Sequence, residues 1–402
     1  MKVLVADKFE EVGVGELRAH GFAVDLRPGL AGETLVAAIA SGDPDVLVVR
    51  STEVRAAALT AGARLKLVVR AGAGYDTIDV ATASAEGIYV ANCPGKNAVA
   101  VAELAWGLIL SCDRRIPDQT IDLRQKQWNK KEYGAARGLF GRTLGVLGLG
   151  PIGLAVIERA HAFGMPVVAW SRSLTPERAR ELGVEWAETP LDVAGRSDVV
   201  SVHLAGGPGT RKLVGRDFIG AMKEGAYIIN TSRGSVLDDE ALRWGIAERK
   251  LRAGLDVFEG EPKTATGEFD CAIARADGVY GTHHVGASTD QAQTSIALEA
   301  VRIIRHFHST GEVLHCVNRA VKSPATCLLT VRHRNRPGVL AQVFQVLSEA
   351  RINVEEMENV IYEGALAASA RIQLDTSPSE TDLDRIRRSC EEILSVDLTS
   401  IG

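Results

Sequence analysis

The stretch LGVLGLGPIG, residues 144–153, runs an apolar β-type segment into the glycine spacing G-x-G-x-x-G. A helical segment, Ile152 to Phe163, and a second apolar run, Val167 to Trp170, follow it. Strand, glycine turn, helix and strand in that order open a doubly wound α/β unit of the dinucleotide-binding kind. Gly148 allows the tight turn, Gly150 lets a pyrophosphate approach the backbone, and Gly153 lets the helix lie close on the strand. Pro151 and Ile152 begin the helix, whose first N–H groups have no intrahelical partner and sit at its positive end. These five residues are the expected pyrophosphate site. An Asp or Glu at the end of the second strand, about 20 residues on, would bond the adenosine 2′-hydroxyl of NAD. In VVAWSRS that position is Ser171, followed by Arg172. Ser171 repels no 2′-phosphate and Arg172 can pair with one, which favours NADP. The alternative is that Arg172 covers the adenine face and NAD binds.

The alternation continues on both sides of this unit. DVVSVHL, YIINTS, AGLDVF and VYGTHH supply later strands, with helical segments between them. Upstream, Val3–Ala6, Val46–Arg50 and Leu67–Arg70 read as strands, and Glu33–Ala40 and Val54–Ala61 as helices. Alternating β and α segments imply parallel sheets covered by helices. The run from Ala98 to Cys112 is apolar nearly all round, so a buried helix between domains is expected. Residues 289–309 read as one helix, and the polar stretch Asn318–Pro324 as a linker. The last 78 residues change order to βαββαβ, a ferredoxin-like arrangement.

The chain has 402 residues, 46% of them apolar and only 5% aromatic, so Val, Ile, Leu and Ala must fill several cores. A net charge of −5 gives no electrostatic case for nucleic acid or an anionic membrane. The six cysteines form no C-x-x-C pair, and neither disulfides nor a metal site is expected. No secretory leader or transmembrane run is evident, which points to a soluble, cytoplasmic protein.

Three segments after predicted strands carry reactive side chains: NTSRG with Arg233, GLDVFEGEP with Asp256, Glu259 and Glu261, and GTHHVGAST with His283 and His284. Ligands of open α/β sheets bind at those strand ends. Oxidising a secondary alcohol needs a base near neutral pKa, and histidine supplies one. A carboxylate steadies the imidazolium, and an arginine grips a substrate carboxylate through two parallel N–H bonds. Singly, each residue has a plain alternative: a surface ion pair, turn chemistry, a structural histidine.

Together these segments resemble the D-2-hydroxyacid dehydrogenases from about Arg50 to Ser288. The family's G-x-G-x-x-G, N-x-S-R-G, G-L-D-V-F-x-x-E-P and P-H-x-G-A-S-T appear here as GLGPIG, NTSRG, GLDVFEGEP and HHVGAST. The resemblance implies that Arg233 binds substrate, His284 moves the proton and Glu261 pairs with His284. It implies that Asp256 faces the nicotinamide carboxamide, with His203, Thr231, Ser232, Arg233, His284 and Gly286 also lining the cofactor site. His283 stands where the family has Pro, which leaves His284 as the acid–base residue. The family's layout implies a discontinuous substrate domain, 1–97 with 288–318, an NAD(P) domain, 98–287, and a tail domain, 325–402.

Within the family the chain is most similar to the phosphoglycerate dehydrogenases. VVRAGAGYDTID and NCPGKNAVAVAEL resemble their substrate loop and interdomain helix. Arg50, Arg70, Gly72, Ala73 and Gly74 are then expected at the substrate, and Lys130, with Lys131, from a neighbouring subunit. The tail, RHRNRPGVLAQVF followed by RINVEEMEN, resembles an ACT domain, in which His333, Asn335 and Asn353 match serine contacts made between two such domains. The resemblance implies NAD(P)-dependent oxidation of 3-phosphoglycerate to 3-phosphohydroxypyruvate for L-serine synthesis, with serine as effector, in a homodimer or homotetramer. Two other functions stay open. One is a glyoxylate or hydroxypyruvate reductase, which Ser171-Arg172 favours. The other is a non-enzymatic nucleotide sensor, against which Arg233, Glu261 and His284 argue.

Overall fold

The computed structural model describes residues 1–262, 266–320 and 323–401. The chain divides into two compact units, Met1–Asn318 and Arg319–Gly402. The first unit holds two parallel sheets, each the floor of a lobe. In the first lobe β1 (Lys2–Val5), β2 (Ala23–Leu26), β3 (Val46–Val49), β4 (Leu67–Arg70) and β5 (Tyr89–Asn92) lie in the order β2-β1-β3-β4-β5. The strand order reverses between β1 and β3, so the crevice beyond their carboxyl ends is where a ligand belongs. Asp7 and Arg50 follow those two strands. Strand β3, VLVV, is buried on both faces, as a central parallel strand must be.

The second lobe has seven parallel strands: β6 (Leu144–Leu147), β7 (Val167–Trp170), β8 (Glu185–Trp186), β9 (Val199–Val202), β10 (Tyr227–Asn230), β11 (Arg252–Leu255) and β12 (Val279–Gly281). Their order is β12-β11-β10-β9-β6-β7-β8, reversing between β6 and β9. The glycine turn after β6 and His203 after β9 flank that switch point. The helix Ala98–Arg114 lies against this sheet, and Gly254 of β11 makes room for it: a Cβ there would sit 2.7 Å from that of Leu108.

The helix Asp290–Thr310 returns to the first sheet, where Ile296, Ala300, Ile303 and Ile304 join the core of Val3, Val5 and Val48. It begins at Thr289, whose hydroxyl accepts the amide of Ala292 at 3.2 Å, and ends at Gly311 with φ +77°. The last residue of HHVGAST is therefore a helix cap. The helix Glu11–Ala19 and strands β2 and β5 are additions to the sequence reading. The helix expected over Val54–Ala61 shrinks to Ala56–Leu59, because Val54 pairs with Ile78 as a parallel bridge. The supposed linker also begins later than expected. Asn318 is fastened to the first sheet, accepting the amide of Val90 at 2.9 Å and donating to the Ile88 carbonyl at 2.9 Å. Residues 321 and 322 of that stretch lie outside the described residues.

The second unit is the expected βαββαβ. Strands β13 (Cys327–Arg334), β14 (Val354–Ile361), β15 (Ala367–Leu374) and β16 (Ile393–Ser400) form an antiparallel sheet in the order β14-β15-β13-β16. Helices Val339–Glu349 and Glu380–Ser389 cover the face carrying Leu329, Val331, Ala370 and Ile372. The second helix starts with a capping box between Ser379 and Asp382. Among the described residues no helix is long and apolar enough to cross a membrane.

Candidate functional site

The turn after β10 is held by Asn230. This fully buried side chain accepts the amide and hydroxyl of Ser232 at 3.0 and 2.8 Å and donates to the Arg233 carbonyl at 3.0 Å. The next residue has no room for a side chain: a Cβ on Gly234 would lie 2.1 Å from the Phe258 carbonyl carbon. The missing side chain lets the Arg233 turn rest directly on the loop after β11, which carries Glu261. The sequence reading passed over Asn230, although an Asx residue opening a turn is a signal in itself.

Glu261 turns one oxygen to the amide of Phe258 and the other to Nδ1 of His284, each at 2.6 Å. Burial alone would raise the Glu261 carboxyl, but those two hydrogen bonds outweigh it and hold the group below its ordinary range. The same bond, opposed by partial burial, lifts His284 above the usual histidine value. With Nδ1 committed to Glu261, Nε2 is the atom left to face a substrate. The His284 backbone has φ +53°, in the left-handed region where non-glycine residues are uncommon. Asp256 enforces it. The Asp256 carbonyl accepts the His284 amide at 2.8 Å, and its carboxylate takes Thr282 Oγ1 at 2.6 Å and the amides of Val285 and Gly286 at 2.9 Å each. Asp256, expected beside a nicotinamide carboxamide, is 1% exposed and braces the histidine loop.

A cavity of about 630 Å³ opens beside this pair, lined among others by Arg50, Arg70, Gly72, His283, His284 and Glu261. His283, assigned by sequence to the loop backbone, shares the wall. Arg70 is mostly buried, and its Nε has no hydrogen-bond partner among the described residues. Desolvation first, then the positive charges of Arg233 and Arg50, pull it down to about 10. Arg70 is thus a cation held beside two further arginines, a setting that suits an anion. Arg50 is set in place by Asp7, whose carboxylate accepts the amides of Arg50, Ser51 and Thr52 at 2.6, 3.1 and 3.0 Å. Ala73 and Gly74 continue the loop from Gly72. Arg233 does not line the cavity itself. Its fork is turned to Asp76 in the first lobe. Lys130 is not brought to this cavity. It lies on a separate hollow of about 220 Å³ with Trp128 and Tyr133.

The glycine turn fits a dinucleotide on two counts. A Cβ on Gly153 would lie 2.1 Å from the Gly148 carbonyl oxygen, and one on Gly148 2.5 Å from that of His203, so both glycines serve close packing. Gly150 has nothing within 4 Å of its Cβ position and gives the helix Pro151–Ala162 no side-chain cap, so the first amides, starting with Ile152, are uncapped. Thr231 Oγ1 and His203 Nδ1 are buried without a partner among the described residues, which suits polar groups awaiting a ligand. His203 is pushed down to about 4 by burial and bonds Ser201 through Nε2 at 2.8 Å, so its ring is neutral. At the end of β7, Ser171 is half-buried and Arg172 exposed, and Arg172 makes no ion pair among the described residues.

The residues expected to hold serine do not meet within one chain. His333 is 2% exposed, its ring nitrogens on the Arg334 carbonyl at 2.8 Å and the Asn359 amide oxygen at 3.3 Å. Asn335 bonds the Ala365 carbonyl beside it. Asn353 sits by Asp375, at the opposite end of β15. The separation is roughly 25 Å at about 3.3 Å per strand residue.

Residues 106–286 match the family of the D-isomer specific 2-hydroxyacid dehydrogenase NAD binding domain, and residues 328–358 match the ACT domain. The chain is 39% identical over 311 residues to a D-3-phosphoglycerate dehydrogenase of Methanocaldococcus jannaschii, covering 76% of this chain and 58% of that protein. It is 44% identical over 263 residues to a hydroxypyruvate reductase of Thermotoga maritima, covering 65% of this chain and 83% of that one. It thus spans less than two thirds of the first of these relatives and most of the second. Among solved structures, an NADPH-dependent glyoxylate/hydroxypyruvate reductase from Sinorhizobium meliloti, in complex with NADP and malonate, superimposes with a TM-score of 0.68. That protein is 29% identical, and the match covers 80% of this chain and 99% of that one.

Proposed function

We propose, since this chain belongs to the D-isomer specific 2-hydroxyacid dehydrogenase family, that it is a D-3-phosphoglycerate dehydrogenase, oxidising 3-phosphoglycerate to 3-phosphohydroxypyruvate with NAD or NADP. The observation that carries the choice of substrate is the arginine set: Arg50 and Arg70 in the cavity wall, with Arg233 close enough to weaken Arg70. An unphosphorylated hydroxy acid needs one arginine for its carboxylate, whereas a phosphorylated one carries charge at both ends. Arg233 takes the carboxylate, and Arg50 and Arg70 take the phosphate.

Nicotinamide, when bound, supplies the hydride acceptor. His284 Nε2 accepts the C2 hydroxyl proton during oxidation and returns it during reduction. Glu261 holds the ring through Nδ1 and stabilises its charged form. The amides at the start of Pro151–Ala162, with Gly150, hold the pyrophosphate, and Thr231 and His203 offer unpaired polar atoms. Arg172, without an ion pair among the described residues, accepts a 2′-phosphate. A glyoxylate or hydroxypyruvate reductase is the second reading, and Ser171-Arg172 is the feature that favours it.

A spectrophotometric screen of 3-phosphohydroxypyruvate and glyoxylate with NADH and NADPH tests both readings. Reduction of glyoxylate without reduction of 3-phosphohydroxypyruvate removes the first. Regulation by L-serine through the tail requires two chains, since Asn353 lies far from His333 and Asn335. The same holds for Lys130, which reaches a substrate only in a neighbouring subunit. Trp128, 79% exposed, and Phe140, 87% exposed, leave apolar surface for such a partner. Titration with L-serine that changes neither rate nor melting temperature removes the regulatory part.

A further inference from the structure

A guanidinium carries five N–H donors in a planar fork. In Arg233 three are engaged. Nε and Nη2 both donate to Oδ2 of Asp76, at 3.1 and 2.9 Å, and Nη1 donates to the Ser232 carbonyl at 2.7 Å. Asp76 lies 157 residues away in sequence, on the loop after β4 in the first lobe, so the pair crosses the cleft. The side chain runs through a slot between two glycines. A Cβ on Gly74 would lie 2.1 Å from Nη2, and one on Gly206 3.1 Å from Cγ.

Given the hydroxy-acid chemistry proposed above, on which this rests, we propose that Asp76 is a positioning residue that turns the end of the Arg233 fork towards the substrate carboxylate. Nε and the adjoining Nη2 hydrogen form the side of the fork, and Asp76 occupies that side. The Ser232 carbonyl lies back along the residue's own backbone and takes the inward hydrogen of Nη1. One hydrogen remains on each of Nη1 and Nη2, parallel and at the tip, which is the arrangement that grips a carboxylate with two bonds. Asp76 is 61% exposed and Arg233 35% exposed, so their attraction adds little to stability. Its effect is orientation.

Orientation and charge predict opposite signs, which makes the test decisive. Removing a carboxylate beside an anion site should tighten anion binding if charge dominates. Asp76→Ala is expected to raise KM for the 2-oxo acid about tenfold while changing kcat by less than about threefold, because ground-state and transition-state grip are lost together. Asp76→Asn keeps an oxygen that can accept both bonds and is expected to restore most of the loss. KM for the reduced dinucleotide stays unchanged in both. A crystal structure of unliganded Asp76→Ala reads the fork without turnover, and a rotated Arg233 is expected. If wild-type protein reduces no 2-oxo acid, the activity proposal fails while that crystal structure still decides whether Asp76 sets the fork. An unchanged or lower KM in Asp76→Ala, equal defects in both variants, or an Arg233 that keeps its orientation overturns the inference.

Discussion

Oε2 of Glu261 lies 2.6 Å from Nδ1 of His284, while the partner oxygen of the same carboxylate accepts the Phe258 amide at 2.6 Å. The carboxylate is therefore locked before the histidine uses it, and the imidazole has one orientation. Glu261→Gln keeps the shape and loses the charge. Its kcat is expected to fall on the order of tenfold to a hundredfold. The sign of the pH effect also follows. Reduction needs His284 protonated, so wild-type activity persists until pH rises through the elevated His284 pKa. In Glu261→Gln that limb moves to lower pH, towards about 6.5. A pH profile of kcat/KM for 2-oxo acid reduction measures it, and a limb that stays put refutes the pairing.

His284→Ala removes the proton-transfer group itself. Turnover is expected to drop by about 10²–10⁴-fold. A change confined to KM would make His284 a binding residue instead.

Ser171→Asp places a carboxylate where a 2′-phosphate would sit beside Arg172. KM for NADPH is expected to rise at least about tenfold, with KM for NADH unchanged or lower. Equal effects on both dinucleotides would mean that the end of β7 does not read the adenosine ribose.

Arg50→Ala separates the two substrate readings. It is expected to weaken 3-phosphohydroxypyruvate by about tenfold or more and to leave glyoxylate nearly unaffected, since only the first carries a phosphate. The ratio of the two kcat/KM values is the readout, and parallel losses would deny Arg50 a role in phosphate binding.

Glu299 makes a different prediction, about stability. It is 4% exposed, and it receives Arg302 from its own helix, Lys96 at 3.1 Å and His315 at 3.0 Å. The hydrogen bond from Arg302, opposed by burial and reinforced by Lys96, holds it at about 2 against an ordinary 4.5. A depressed carboxylate stabilises the fold above its unfolded pKa, and that contribution is lost as pH falls from about 4.5 towards 2. Glu299→Gln is expected to cost roughly 2 kcal/mol at neutral pH, a figure reduced for the exposure of the cations. Its melting temperature should also fall less steeply than that of wild type across the acid window. Parallel melting curves would show that the cluster is not coupled to folding.

Much of the site is legible in the sequence because it lies at strand ends with short, local signatures. Gly148, Gly150 and Gly153 follow an apolar strand, Arg50 and Arg70 end or follow strands, and Glu261 and His284 sit in recurring turns. What stays hidden is what only tertiary structure brings together. Asp76 meets Arg233 across two lobes, and Glu299 gathers Lys96, Arg302 and His315 from three separate segments. Local propensity also misled in places. EVGVGELRA forms a helix despite two glycines, because Gly13 is pressed against Phe9 and Ala297, where a side chain would not fit. AVDL is an edge strand with no fully buried residue, so its pattern carries little signal.

Gly234 bears on all of this without holding a reactive atom. It is the point where the arginine turn rests on the backbone of the glutamate loop. The spacing between the group that grips the acid and the group that governs the proton is thus gauged by a methyl that is not there. An alanine at 234 would pry the two apart while leaving every chemical participant in the chain. Such a protein should still take up its dinucleotide through the distant glycine turn and yet be a poor catalyst, a machine with all its parts and the wrong clearance.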